Sequence, residues 1–180
     1  MRAYADETAV LVIDYQEKLV PVMGDSSEFI SRSKILLQGL IELGIPVIVT
    51  QQYTRGLGET ISSIKDIDGI PDAFDKITFS CIRDDNIAEA IERLNVKNVI
   101  VCGCEAHICV LQTVIDLLAE AYNVYLVTDC VASRKLSDKD AALIRARQEG
   151  AMITTSEAIL FELLERAGSD MFKTISGLIK

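Results

Sequence analysis

Histidine is nearly absent from this sequence: His107 is the only one in 180 residues. No histidine-based metal site can be assembled from it, so no metal and no cofactor is expected. The five cysteines, at positions 81, 102, 104, 109 and 130, contain no Cys-x-x-Cys pair, which argues against a thioredoxin-type motif. Basic residues are in deficit, with 18 Lys and Arg against 27 Asp and Glu and a formal net charge of −9. An acidic surface repels phosphate, so neither nucleic acid nor an acidic membrane is an expected partner. No apolar run approaches the roughly 20 residues that cross a bilayer. Residues 1–7 are polar and the first apolar run, Ala9 to Ile13, is short, so no secretory leader is expected. An odd number of cysteines without a leader predicts a reduced, cytoplasmic setting and small buried thiols at Cys81, Cys102 and Cys130.

What is present is a globular composition, 49% hydrophobic and 25% charged. At this length one domain, 1–180, with a core of its own is expected. Short apolar runs alternate with segments of helical period. The runs are Thr8–Asp14, Pro46–Gln51, Asn98–Cys102, Val124–Asp129 and Ala151–Thr154. The helical segments between and after them include 26–43, 84–94, 105–122, 138–148 and 156–166. That alternation predicts βαβ units and a three-layer α/β/α sandwich around a parallel sheet. The one long irregular stretch, 52–79, is too long to be an idle connection.

In open parallel sheets ligands bind beyond the carboxyl ends of the strands. Asp14 and Asp129 each close a predicted strand, and residues 102–109 form the turn after another. Cys109 then falls near a helix N-terminus, whose N–H groups and partial positive charge favour a thiolate and a developing oxyanion. From spacing alone it is equally a buried helix cysteine. His107 is a poor base for Cys109, since side chains two apart on a helix diverge by about 200°. Glu105 is either a helix cap or an acid in the site. The helix after Cys109 carries apolar residues nearly all round (Val110, Leu111, Val114, Ile115, Leu117, Leu118), which predicts burial on more than one face and a homodimer or larger homo-oligomer.

Four segments in order carry a more specific signal: Leu11-Val12-Ile13-Asp14-Tyr15-Gln16, Asp75-Lys76-Ile77-Thr78-Phe79-Ser80, Gly103-Cys104-Glu105-Ala106-His107-Ile108-Cys109-Val110, and Val127-Thr128-Asp129-Cys130-Val131-Ala132-Ser133. Together they resemble the isochorismatase-like cysteine hydrolases, which include nicotinamidases, N-carbamoylsarcosine amidases and isochorismatases. The resemblance covers essentially the whole chain. Thr50-Gln51-Gln52-Tyr53-Thr54-Arg55-Gly56-Leu57-Gly58 and the tail from Phe172 to Lys180 are most similar to the isochorismatase-domain-containing branch.

The resemblance implies a six-stranded, mostly parallel, Rossmann-like sheet. It also implies a triad of Asp14, Lys76 and Cys109, an oxyanion hole from the backbone N–H groups of Glu105 and Cys109, and a cis peptide between Cys104 and Glu105. Tyr15, Gln16, Gln52, Tyr53, Phe79 and His107 are the candidate walls of a mostly neutral substrate pocket. The expected activity is hydrolysis of a small amide-like carbon–nitrogen bond through a thioester. The alternatives are an ester or vinyl-ether hydrolase on the same triad, a thiol redox protein using Cys102, Cys104 and Cys109, and a non-catalytic binding or scaffold protein. The metal-binding Asp-x-His of metal-dependent nicotinamidases is replaced here by Gln51-Gln52-Tyr53. A cysteine at the nucleophile position also sets the chain apart from hydrolases of isochorismate that use none.

Overall fold

A computed structural model describes residues 2–180 and resolves the alternating pattern into a six-stranded, all-parallel sheet. In chain order the elements are β1 (Thr8–Ile13), α1 (Ser26–Glu42), β2 (Val47–Gln52), α2 (Thr54–Leu57), α3 (Ser62–Lys65), β3 (Phe74–Lys76) and α4 (Asp85–Arg93). Then follow β4 (Asn98–Cys104), α5 (Leu111–Ala119), β5 (Asn123–Ala132), α6 (Leu136–Glu149), β6 (Met152–Thr154), α7 (Ser156–Leu164) and α8 (Phe172–Ile179). The strand order is β3-β2-β1-β4-β5-β6. The chain builds outward from β1 on one side, then returns to build outward on the other. The switch point lies between β1 and β4, which is where doubly wound sheets open a crevice.

The continuous apolar runs are explained by burial on both faces. On β1, Val10 and Val12 pack beneath α1, α7 and α8, while Leu11 and Ile13 pack beneath α4, α5 and α6. β4 repeats the division, with Ile100 and Cys102 on the first face and Val99 and Val101 on the second. Cys104 joins the first face, so Cys102 and Cys104 pack in the opposite core from Cys109. All five cysteines are free thiols.

Three departures from the sequence reading matter for the site. The stretch 52–79 is not irregular throughout: it holds α2, α3 and the edge strand β3, which pairs Gln51↔Asp75 and Gln52↔Lys76. Three residues are too few to show an alternation. The predicted helix 105–122 opens instead with a π-helical turn, Ala106–Val110, before α5 begins. Such turns are rare and cluster at functional sites. Finally, β5 does not end at Asp129. Its pairing with β4 passes from Val101↔Leu126 to Gly103↔Val131, so β5 carries surplus residues at 127–130. Asp129 turns out of the sheet there and accepts hydrogen bonds from Ser156 N (2.8 Å) and Ser156 Oγ (2.6 Å) at the start of α7.

Gly103, at φ +129°, lets β4 cross close over β1: a Cβ there would stand 2.0 Å from the Ile13 carbonyl oxygen. No helix among the described residues is long and apolar enough to cross a membrane.

Candidate active site

Asp14 is the first residue beyond β1 and adopts φ 55° in the left-handed region, which aspartate tolerates better than most residues. Its carboxylate is fully buried. Oδ1 accepts from Thr50 Oγ1 (2.8 Å) and Oδ2 from Lys76 Nζ (2.8 Å). Lys76, the last residue of β3, is carried there by the pairing with β2 and is buried as completely as its partner. Its ammonium also donates to Gln52 Oε1 (2.6 Å) and, more weakly, to the carbonyls of Thr78 and Phe79 (both 3.3 Å). A buried ion pair is costly unless its remaining protons and lone pairs find partners, and here several do.

Cys109 sits in the π-helical turn with its Sγ 3.9 Å from Gln52 Oε1. Its carbonyl accepts from Thr113 Oγ1 (2.7 Å), and that same hydroxyl accepts from Cys81 N (3.0 Å). Burial holds the Cys109 thiol well above its ordinary range, and the Asp14 carboxylate adds to this; the Lys76 ammonium pulls the other way without offsetting them. Burial and the Asp14 carboxylate thus act against the lowering expected from a helix terminus. Burial pulls Lys76 down, but Asp14 and the thiols of Cys81 and Cys109 outweigh it, and the ammonium lies above its usual value. Cys81 is pushed up to about 11 by burial. The site thus sets a thiol raised by burial beside the Asp14–Lys76 ion pair.

The Cys104–Glu105 peptide is cis, and the Glu105 N–H finds no acceptor among the described residues. The Glu105 carboxylate is not free for acid–base work. It accepts from Arg134 N (3.2 Å) and Nε (3.0 Å), tying the nucleophile turn to the segment after β5.

The expected pocket walls divide. Tyr15 is corrected from wall to core. Past the turn at Asp14 its ring enters the α1 side, stacks on Phe29 at 4.9 Å, and places its hydroxyl between Ser33 Oγ (2.7 Å) and the Cys130 carbonyl (3.0 Å). Gln16 is likewise fully buried and spends its carboxamide on main chain. Gln52 lies in the site itself, between ammonium and thiol. Tyr53 and Phe79 are about half exposed, and with Ile77 at 80% exposure they stand on the rim. His107 is half-buried, with Nδ1 3.0 Å from Ser133 Oγ, and is directed away from the role of base for Cys109. Thr50, which fixes the second carboxylate oxygen of Asp14, was missed. Its signal is a hydroxyl directly after the apolar run Val47-Ile48-Val49, opposite Ile13 in register.

A cleft of about 400 Å³, lined by Gln51, Glu59, Lys65 and Asp72 among others, includes none of these residues. Among the described residues, no group of three or more His, Cys, Asp or Glu is placed to hold a metal ion.

The sequence model of the isochorismatase domain matches residues 8–158. Isochorismatase domain-containing protein 1 of Salmo salar is 38% identical over 173 residues, spanning 96% of this chain and 61% of that protein. The chain thus spans about three fifths of the length of that relative. The structure of MAR1 ribonuclease from Caenorhabditis elegans superposes with a TM-score of 0.92 at 37% identity, covering 99% of this chain and 92% of that one. The ycaC gene product of Escherichia coli, described as an octameric hydrolase of unknown specificity, shares the fold with a TM-score of 0.92 at 21% identity, covering 99% and 89%.

Proposed function

The chain belongs to the isochorismatase family, and on that premise we propose that it hydrolyses a small amide-like carbon–nitrogen bond with Cys109 as nucleophile. One observation carries the reading: a fully buried ammonium, Lys76, bridges the Asp14 carboxylate and the Gln52 amide, and that amide oxygen lies 3.9 Å from the Cys109 sulfur in the π-helical turn. A merely structural ion pair has no reason to be assembled around a thiol.

The steps follow from the residue chemistry. The Cys109 thiol is protonated at rest, so it needs a base at the moment of attack, and Asp14 supplies it. As the Sγ–C bond forms, the proton passes to Asp14, and the negative charge on the carbonyl oxygen is met by the N–H groups of Glu105 and Cys109. Collapse breaks the C–N bond, Asp14 returns the proton to the leaving amine, and a thioester on Cys109 remains. Water then attacks the thioester, giving its proton to Asp14. The acid departs, and the proton returns to sulfur. Lys76 stays charged throughout and steadies whichever neighbour, carboxylate or thiolate, bears the negative charge.

The charged side chains named in the site are paired within the protein, Asp14 with Lys76 and Glu105 with Arg134, and the rim residues Tyr53, Ile77 and Phe79 are apolar or aromatic. This favours a small, neutral acyl group over a polyanion. The nematode relative is described as a ribonuclease; the −9 charge of this chain weighs against carrying that activity over.

The test is a panel of small amides, carbamoyl compounds and esters, with an RNA oligonucleotide alongside, assayed with the native protein and Cys109→Ser. The expected result is turnover of an amide, an acyl mass on the Cys109 peptide in quenched reactions, and a loss of about a thousandfold or more in the variant. Turnover that survives Cys109→Ser overturns the proposal. Faster turnover of esters than of any amide replaces the bond class while keeping the nucleophile.

Half-buried Ile115 and Leu118 on α5, with Ile77 and Phe79 on the rim, support association of copies of the chain. Sedimentation velocity is expected to give a dimer or larger, and a monomer at tens of micromolar counts against it.

A further inference from the structure

We infer that Gln52 and, behind it, Gln16 are positioning residues that hold the Lys76 ammonium against Cys109, acting in series from the end of β1 to the thiol. The inference rests on the proposed role of Cys109 as nucleophile and extends it to two residues that touch neither substrate nor reacting bond.

The orientation of Gln52 is fixed by its partners. Its Nε2 can only donate, and it meets the Ile77 carbonyl at 2.8 Å. Oε1 must then point the other way, where it lies 2.6 Å from Lys76 Nζ and 3.9 Å from Cys109 Sγ. The ammonium has two short acceptors, Asp14 Oδ2 and this amide oxygen; the remaining two, at 3.3 Å, share its third proton. Without Gln52 the short attraction is one-sided. Nζ would be drawn onto Asp14, and the positive charge offered to the sulfur would fall.

Gln16 sets Gln52 by standing in for a missing strand. The β1–β2 pairing ends at Ile13↔Thr50, so the Gln52 peptide lies beyond the last main-chain partner on that side. The carboxamide of Gln16 fills the gap. Its Oε1 accepts from Gln52 N (2.7 Å) and its Nε2 donates to Gln52 O (2.9 Å), with a further bond to the Gly58 carbonyl (2.7 Å). On the other side Gln52 pairs with Lys76 of β3. The side chain of Gln16 therefore sets the register at which amide and ammonium meet.

Neither glutamine titrates. The ionisable groups gathered on Cys109 are Asp14 beyond β1, Lys76 on β3, Cys81 in the turn after β3, and Cys104 at the end of β4. Cys81 and Cys104 are thiols raised by burial, and Gln16 makes no contact with the sulfur, so a change in Cys109 reactivity in Gln16→Met passes through Gln52 and the Lys76–Asp14 pair; Gln52→Met also removes the direct Oε1–Sγ contact.

The test reads the thiol directly and needs no substrate. Iodoacetamide labelling of all five cysteines is followed by peptide mass spectrometry from pH 7 to 9 in the native protein, Gln52→Met, Gln16→Met and the double variant. Methionine keeps length and volume while removing the amide. The native protein is expected to label first at Cys109. Each single variant is expected to slow Cys109 about tenfold at every pH, the equivalent of raising its apparent pKa by one unit, while the other four cysteines keep their rates. The double variant is expected to be no slower than Gln52→Met, because the two act in series. Cooperative thermal unfolding identifies the variants that keep the fold, and Gln16→Met alters no residue that touches the sulfur, which keeps the inference testable should Gln52→Met not fold. A Cys109 rate within twofold of native in either folded variant overturns the inference, as does a double variant about a hundredfold slower, the additive result. A native Cys109 no more reactive than the other four cysteines removes the nucleophile reading and this inference together.

Discussion

Asp14→Asn is expected to drive two properties of Cys109 in opposite directions. Asparagine is isosteric with aspartate: its one oxygen can still accept from Lys76 while its NH2 donates to Thr50 Oγ1, whose hydroxyl turns from donor to acceptor, so the packing survives while the negative charge is lost. That charge is the second of the forces holding the thiol up, after burial. Removing it leaves an uncompensated ammonium facing the sulfur, and the thiolate becomes easier to form. Labelling of Cys109 by iodoacetamide at pH 7.5 is therefore expected to rise, by about tenfold for each unit the thiol falls. Catalytic turnover is expected to drop by about a hundredfold to ten-thousandfold, because attack and amine departure both require the proton Asp14 carries. The opposition of signs is the diagnostic. A residue that only anchored Lys76 would lower both measures or neither, and parallel loss in a folded variant would remove Asp14 from the role of base.

Lys76→Met is the larger perturbation of the fold. Both members of the pair are inaccessible to solvent, and removing one leaves a bare buried carboxylate just beyond β1. The cost of stranding such a charge is about 3–5 kcal/mol. Asp14 can escape only by taking up a proton, which raises its folded-state pKa above the unfolded value in the variant. A carboxyl group shifted in that direction stabilises the fold at low pH and costs stability as pH rises. The deficit relative to native protein is thus expected to be smaller at pH 5 than at pH 8, by urea unfolding at each. In the native protein the sign belongs to Lys76. Its ammonium is held above its ordinary value, so its contribution is complete below about pH 10.4 and is lost as pH rises through the folded value. Asp14→Asn combined with Lys76→Met should recover part of the loss, since no unpaired charge remains. A deficit under about 1 kcal/mol, equal at both pH values, would mean that water reaches the pair as it reaches surface pairs.

How much of this was legible in the sequence depends on which interactions decide each feature. β1, β2, β4 and β5 announce themselves because a strand buried on both faces must be apolar throughout, and α1 and α4 because one face repeats at helical spacing. β3 is edge-bound and three residues long, and only its pairing to β2 defines it. The extra length of β5 and the π-helical turn at Cys109 are also set by tertiary contacts and leave no local period. In the site, a strand-end position tells which edge of the sheet a residue reaches but not which way its side chain turns. That is why Tyr15 and Gln16, adjacent to Asp14, were read as pocket walls when one enters the α1 core and the other braces the backbone of β2. Asp129 fails for the same reason. A surplus of residues in β5 turns it away from the catalytic edge to cap α7. Asp14, Lys76 and Cys109 were legible only through the resemblance of their surrounding segments, since each alone is an ordinary strand-end acid, edge lysine or helix cysteine.

The strand order has a consequence for when the thiol can react at all. Asp14 closes the central strand, Lys76 belongs to the last strand laid on one flank, and Cys109 follows the first strand laid on the other. The crossing from β3 back to β4 must be complete before sulfur and ammonium meet, and contacts so distant along the chain are late and slow to form. A chain still folding therefore exposes five ordinary thiols and no base–ammonium pair beside any of them. The reactivity proposed for Cys109 is thus a property of the finished topology, available only once both flanks are in place.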